Sequence, residues 1–193
     1  GPTSQRPGEF FYDNAQMGMN IIHTSHLHRV RKLVVMGSVC AYPLHTPLPM
    51  SESHLWNGKP EFSNASYGYA KRILQAMLEA YNNQYGMRCS YILMGNLYGA
   101  GDNFNPDTSH VIPGLIQKMH EYPEGIDVWG SGNVSRDFLY VEDAVEAIID
   151  IAKQTNKPIP INVGSGVEVT IRDLVSLLCD LIPYRGTVRY DTS

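Results

Sequence analysis

Short apolar segments alternate with longer helical ones along this chain of 193 residues. The runs "KLVVM" (Lys32–Met36) and "CSYILM" (Cys89–Met94) have the length and composition of buried strands. Between them, Ser66–Tyr85 has the periodicity of a helix with one apolar face. Strands that alternate with helices at this spacing predict a parallel sheet covered by helices, as in Rossmann-like doubly wound α/β folds.

The remaining elements are predicted from the same patterns. An N-terminal helix is expected over Tyr12–Arg31, another over Ser109–His120, and a strand that turns into a helix at Val141. Thr170 is expected to cap a helix, because Asp173 follows three residues later. Further strands are predicted at "DVWG", "IPINVG" and "TVRYDT", and "GNLYGAGDNFNP" is interpreted as a loop.

Composition narrows the function classes. A net charge of −4 gives no basic field for nucleic acid, and no apolar run reaches membrane-spanning length. The three cysteines lack any CxxC spacing, which argues against a zinc site or a disulfide framework and favours a reducing, cytoplasmic compartment. The histidines near the N-terminus lack a carboxylate partner, so a metal-dependent hydrolase is disfavoured and no metal is expected.

A tyrosine and a lysine four residues apart carry the chemical signal. Tyr67 and Lys71 share one helix face, and an ammonium group nearby favours the phenolate over the phenol. We therefore expect Lys71 to lower the pKa of Tyr67 towards the working range. Ser38 follows the end of a predicted strand, where ligand-binding groups gather in open α/β sheets. Taken alone, Y-x-x-x-K is more often a pair on the protein surface.

Four longer motifs give the pattern its specificity. They are "GSVCAYP", "YGYAK", "GNLYGAGDNFNPDTSHVIPGLI" and "VWGSGNVSRDFLYVEDAVEA". Through them, nearly the whole chain resembles the extended short-chain dehydrogenases/reductases of the NAD-dependent epimerase/dehydratase family. Within that family it is most similar to enzymes of GDP-fucose biosynthesis, which epimerise and reduce a GDP-4-keto-6-deoxyhexose. The resemblance implies an NADP-dependent cytoplasmic enzyme, with NAD as the other possible cofactor, that forms a homodimer.

The resemblance also implies catalytic roles. Ser38, Tyr67 and Lys71 take the reductase roles, and Cys40 and His110 take the epimerase roles. Epimerisation beside a ketone needs a base and an acid on opposite sides of the carbon, and a thiol and an imidazole both titrate near neutrality. The alternatives are that Cys40 is a buried structural residue and that His110 caps a helix.

Cofactor and substrate contacts follow from the same resemblance. The cofactor is expected to face Met36, Gly37, Ser38, Val39, Lys71, Met94, Gly95, Asn96, Leu97 and His110. The nucleotide sugar, expected to be GDP-linked, is expected to contact Val111, Lys118, Trp129 and Arg136. Met94–Gly95 stands where the family has Pro-Thr, and Lys118 where it has arginine. The alternatives are that Trp129 only closes the core and that Arg136 pairs with Asp143.

The resemblance implies two regions. Residues 1–108 correspond to a cofactor domain without its glycine-rich turn, and residues 109–193 to substrate-binding segments and returning strands. Truncation at both ends is expected, and the chain alone is expected to bind dinucleotide weakly. Two other functions stay open. One is a nucleotide-sugar 4-epimerase or dehydratase with bound NAD, and the other is a non-catalytic fragment that retains the fold.

Overall fold

The computed structural model describes residues 5–192, which divide into two compact units. The first unit runs to Gly95 and also contains Val145–Val163. The second contains Asn96–Ala144 and the segment that begins at Gly164. Both units are discontinuous in sequence, and the boundary expected at residue 108 stays a prediction.

The helices and strands are numbered in chain order. The helices are α1 (Pro7–Leu27), α2 (Ala65–Tyr85), α3 (Val111–Glu121), α4 (Val141–Gln154) and α5 (Ile171–Leu181). The strands are β1 (Leu33–Met36), β2 (Cys89–Met94), β3 (Asn96–Tyr98), β4 (Gly125–Trp129), β5 (Ser135–Tyr140), β6 (Pro160–Val163), β7 (Glu168–Thr170) and β8 (Thr187–Asp191).

The first unit is built on a parallel sheet of order β1-β2-β6. Every residue of the central strand β2 is buried, as expected where both faces of a parallel sheet are covered. Helix α1 packs closely on α2, because a Cβ at Gly18 would lie 2.5 Å from the methyl carbons of Leu74. The core includes Ile22, Leu78 and Leu93, none of which is exposed.

The second unit contains two small sheets. In one, β5 pairs in parallel with β3 and antiparallel with β7, and in the other β4 pairs in parallel with β8. Helices α3 and α5 contribute Leu115, Leu174 and Leu178 to a core with Ile126 and Val128 of β4. The cap predicted at Thr170 is confirmed, since its Oγ1 accepts a hydrogen bond from the Asp173 amide at 3.0 Å.

The α/β fold class with parallel sheets is confirmed, and so is the passage from strand to helix at Val141. Two predicted details were wrong, and one strand was missed. Helix α1 begins at Pro7 rather than Tyr12, because proline suits the first helical position, and it ends at Leu27. Part of the predicted "GNLYG" loop is strand β3, which is held by its pairing with β5. Strand β7 was not predicted at all.

Candidate active site

Ser38 lies in a short turn at the carboxyl end of β1. The Gly37 amide donates to the Ile92 carbonyl at 2.6 Å, and a Cβ on Gly37 would lie 2.6 Å from the Tyr91 hydroxyl. A larger residue than glycine would therefore displace the turn. Ser38 begins the 3-10 turn Val39–Ala41, and its Oγ accepts from the Cys40 amide at 3.2 Å. This use of an oxygen lone pair leaves the hydroxyl proton available to another acceptor.

Tyr67 and Lys71 lie one turn apart near the start of α2. The Lys71 Nζ is 5.3 Å from the centroid of the Tyr67 ring, and it donates to the Met36 carbonyl at 3.3 Å. The Tyr91 hydroxyl donates to the Lys71 carbonyl at 2.9 Å, which anchors this turn of the helix to β2. Lys71 is thus hydrogen-bonded to the last residue of β1, the strand that ends just before Ser38.

The pKa of Tyr67 moves in the direction opposite to the one expected. Burial raises the pKa of Tyr67, a negative charge on Cys40 adds to that effect, and a hydrogen bond with Ser38 opposes it. Burial also lowers the pKa of Lys71. The predicted lowering of the Tyr67 pKa by Lys71 is therefore wrong for this structure, because the desolvation of the phenol dominates.

Cys40 lies directly against the first turn of α2. A Cβ at Gly68 would lie only 2.5 Å from the Cys40 carbonyl oxygen, so the helix and the turn approach as closely as glycine allows. Cys40 is partly exposed, and a negative charge on it contributes to the raised pKa of the neighbouring Tyr67. Ser38, Cys40, Tyr67 and Lys71 thus form one cluster within the first unit.

Arg72 is a site residue that the sequence did not suggest. Its side chain is buried, its Nε donates to the Ala41 carbonyl at 2.6 Å, and its Nη1 donates to the Gly58 carbonyl at 2.7 Å. In the sequence, Arg72 directly follows Lys71, and a second cation in that position looks like an ordinary solvent-exposed charge. The available signal was Gly68, since a glycine inside a helix usually marks close packing.

The other residues predicted to face the cofactor are divided between the two units. Met94 is buried at the end of β2, and the Gly95 amide donates to the Val163 carbonyl at 3.0 Å, both within the first unit. In the second unit, Asn96 Nδ2 donates to the Asp137 carbonyl at 2.9 Å, and the side chain of Leu97 is exposed. Asn96 and Leu97 belong to β3.

Within the second unit, His110 occupies the position before α3, but its side chain makes no capping hydrogen bond. Val111, the first residue of α3, is exposed. Lys118 Nζ lies 5.1 Å from the centroid of the Trp129 ring and donates to the Asp127 carbonyl at 3.0 Å.

The surroundings of Trp129 and Arg136 differ from the alternatives given for these residues. Trp129 is 84% exposed, so the alternative in which it only closes the core is wrong. Arg136 is exposed, and its Nη1 donates to the Ser135 carbonyl at 2.7 Å. None of the ion pairs found among residues 5–192 joins it to Asp143.

The described residues contain neither a metal-binding cluster nor a membrane-spanning helix. Between residues 5 and 192, no group of three or more His, Cys, Asp or Glu side chains is arranged to hold a metal ion. No helix in the same range has both the length and the apolar character that crossing a bilayer requires.

Comparison with known proteins places the chain in a family. Residues 1–164 match the model of the "NAD dependent epimerase/dehydratase family". The chain is 39% identical over 200 residues to the GDP-L-fucose synthase of Escherichia coli K12, and the match covers 97% of this chain and 62% of that protein. The chain thus spans about six-tenths of the length of the curated relatives it matches.

Solved structures agree with this placement. A GDP-6-OMe-4-keto-L-xylo-heptose reductase from Campylobacter jejuni matches with a TM-score of 0.92 at 27% identity, over 98% of this chain and 67% of that one. A GDP-L-fucose synthetase from Naegleria fowleri bound to NADP matches with a TM-score of 0.87 at 31% identity, over 95% and 60% of the two chains.

Proposed function

The chain belongs to the NAD-dependent epimerase/dehydratase family, and from this premise we propose that it carries the catalytic cluster of an epimerase–reductase. The substrate is a GDP-4-keto-6-deoxyhexose and the cofactor is NADP. The observation that carries the proposal is the cluster of Ser38, Cys40, Tyr67 and Lys71 in the first unit. This cluster contains both an acid that can protonate the ketone oxygen, Tyr67, and a base that can remove a proton from carbon, Cys40.

Reduction of the C4 ketone requires a proton for the oxygen. Burial raises the pKa of Tyr67, so the phenol is protonated at neutral pH and can donate its proton to that oxygen. The Ser38 hydroxyl, whose Oγ already accepts from the Cys40 amide, can donate a hydrogen bond to the same oxygen. Lys71 places a positive charge beside the phenolate that forms, which stabilises it.

Epimerisation requires proton removal and return at the carbons beside the ketone. The ketone acidifies the hydrogens at C3 and C5, and the Cys40 thiolate removes one of them. We assign His110 as the acid that returns the proton, and its side chain is not engaged in capping α3. A hydrogen bond from Ser38 to the ketone oxygen stabilises the enolate between the two steps.

The donor set fits a nicotinamide cofactor. The Lys71 ammonium has three donors, and the structure shows one of them, to Met36, so the others can bind ribose hydroxyls. When bound, the reduced cofactor supplies the hydride. The exposed ring of Trp129 offers a stacking surface for a nucleotide base, and the exposed Arg136 offers a planar fork for a diphosphate.

A homodimer is part of the proposal. Helix α1 has four large hydrophobic side chains that are exposed to solvent: Tyr12, Met17, Ile21 and Leu27. Several large apolar side chains exposed on one helix are typical of a surface that a partner covers. We propose that a second copy of the protein packs on α1 and α2, and that the protein acts in the cytoplasm on a small nucleotide sugar.

The test is NADPH oxidation by the full-length protein with the GDP-4-keto-6-deoxyhexose. Tyr67→Phe is expected to lower kcat by about 10²–10⁴-fold, because the phenol is the proton donor. Tyr69→Phe, two residues along the same helix, is the matched control and should retain the wild-type rate. If the wild-type protein interconverts nucleotide sugars without net NADPH oxidation, a 4-epimerase or dehydratase function replaces this one.

A further inference from the structure

Arg72 is a buried cation without a carboxylate partner. The residue is 3% exposed, and none of the ion pairs found in residues 5–192 includes it. Its Nη2 is also buried and has no hydrogen-bond partner within that range. Burying a charge costs free energy unless polar partners compensate for the lost hydration. The hydrogen bonds that Arg72 does make must therefore offset this cost.

Those contacts join three segments that are distant in sequence. Nε binds the Ala41 carbonyl, which ends the 3-10 turn containing Cys40. Nη1 binds the Gly58 carbonyl, in the loop that follows that turn. One side chain on α2 thus ties the Cys40 turn and the succeeding loop to the helix that carries Tyr67.

Arg72 and Gly68 act on the same turn. They lie four residues apart on α2 and therefore on one helix face. Gly68 lets the helix approach the Cys40 carbonyl, and Arg72 binds the carbonyl of the next residue, Ala41. This one face of α2 therefore determines how closely the Cys40 turn approaches the helix and also binds the turn to it.

Two aromatic rings lie close to the guanidinium. Its central carbon lies 5.6 Å from the centroids of both the Trp56 and Tyr69 rings. Trp56 is itself held by a hydrogen bond from Nε1 to the Gln75 Oε1 at 3.2 Å. A planar group in contact with two rings keeps its two donors in fixed directions, which a flexible lysine ammonium would not reproduce.

We propose that Arg72 is a positioning residue that fixes the Cys40 thiol relative to Tyr67 by holding the Ala41 carbonyl. It thereby sets the balance between proton transfer at carbon, through Cys40, and proton transfer at oxygen, through Tyr67. The positioning itself follows from the contacts of Arg72, whereas its consequence for the two reactions rests on the function proposed above.

Thiol alkylation tests the positioning without any ligand. Arg72→Met and Arg72→Lys chains are treated with iodoacetamide, and each cysteine is followed by peptide mass spectrometry. Loss of the hydrogen bonds from a charged donor should speed alkylation of Cys40 by about tenfold. The rate at the buried Cys89, which reports global unfolding, should stay unchanged. Arg172→Lys is the control, because Arg172 also binds a carbonyl (Ser131) and contacts an aromatic ring (Tyr190).

An unchanged Cys40 rate would overturn the proposal, and so would a rate that rises only in step with that of Cys89. The control chain should alkylate Cys40 at the wild-type rate. The proposed function has no part in this measurement, so its failure would leave the result for the positioning valid.

A second measurement follows the consequence for the reaction in the full-length protein. Arg72→Lys should lower deuterium incorporation from solvent at C3 and C5 by about tenfold more than it lowers reduction of a pre-epimerised substrate. An equal fall in both rates would indicate a merely structural role and would contradict the proposal. If the wild-type protein incorporates no deuterium, the proposed function fails instead, and the alkylation result decides the positioning alone.

Discussion

At the scale of single residues, burial sets the direction of the pKa shift of three tyrosines in the first unit. Burial raises the pKa of Tyr67 and Tyr91, and it raises the pKa of Tyr42 to about 12. For Tyr67, this burial keeps the proton on the phenol until an acceptor is present. The Tyr42 hydroxyl donates to Asn162 Oδ1 at 2.7 Å, and the raised pKa means that the folded state favours the protonated form of this phenol.

This linkage predicts that alkali destabilises the chain. A group whose pKa is raised by folding contributes stability that is complete below its unfolded pKa, near 10, and is lost as the pH rises through the folded value. The free energy of unfolding should therefore fall between pH 10.5 and 12. The lowered pKa of Lys71 acts in the opposite direction, but only below its unfolded pKa of 10.5.

Urea unfolding followed at a series of pH values measures the effect. Tyr42→Phe should give a shallower fall with pH than the wild type, because it removes one of the linked phenols. Tyr122→Phe, at an exposed tyrosine of the second unit, should leave the slope unchanged. An equally steep fall in the Tyr42→Phe chain would show that this phenol does not carry the effect.

At the scale of elements, the decisive contact is the one between α2 and the Cys40 turn. It depends on Gly68, because an added Cβ there would lie 2.5 Å from the Cys40 carbonyl oxygen and 3.0 Å from Pro60. The backbone of the turn cannot yield as a flexible side chain would. The helix can therefore carry Tyr67 next to Cys40 only if position 68 has no side chain.

Gly68→Ala is expected to destabilise the chain by about 1–3 kcal/mol, since an added methyl group in a packed site forces the backbone apart. Gly8→Ala in α1 is the matched control, because nothing lies within 4 Å of its added Cβ. There, alanine should be neutral or stabilising by up to about 1 kcal/mol. Chemical unfolding measures both, and a Gly68→Ala chain as stable as the control would contradict the close approach.

Elements that depend on local pattern were predictable from the sequence, and those that depend on distant contacts were not. Strand β2 and helix α2 have unambiguous composition and periodicity. Strand β3 is three residues long and exists because β5 lies beside it, and β7 has the same dependence. Arg72 was missed because its carbonyl partners lie 14 and 31 residues away. The direction of the Tyr67 pKa shift depends on burial, which the Tyr-x-x-x-Lys spacing does not encode.

At the scale of the whole molecule, the predicted functional residues are shared between two units. The first carries Ser38, Cys40, Tyr67 and Lys71, and the second carries His110, Lys118, Trp129 and Arg136. In the proposed function, Tyr67 protonates the ketone oxygen and Cys40 removes a proton from carbon, and both belong to the first unit. In the second unit, His110 returns a proton to carbon, and Trp129 and Arg136 bind the nucleotide. Proton transfer at carbon and proton transfer at oxygen depend on different side chains in this proposal, so they should be separable by single substitutions.

Cys40→Ser in the full-length protein tests this separation most directly. A serine hydroxyl is a much weaker acid than a thiol, so deuterium incorporation from solvent at C3 and C5 should fall by about 10²–10⁴-fold. Reduction of a substrate that is already epimerised depends on Tyr67 and should continue near the wild-type rate. Unchanged deuterium incorporation in the Cys40→Ser protein would contradict the account.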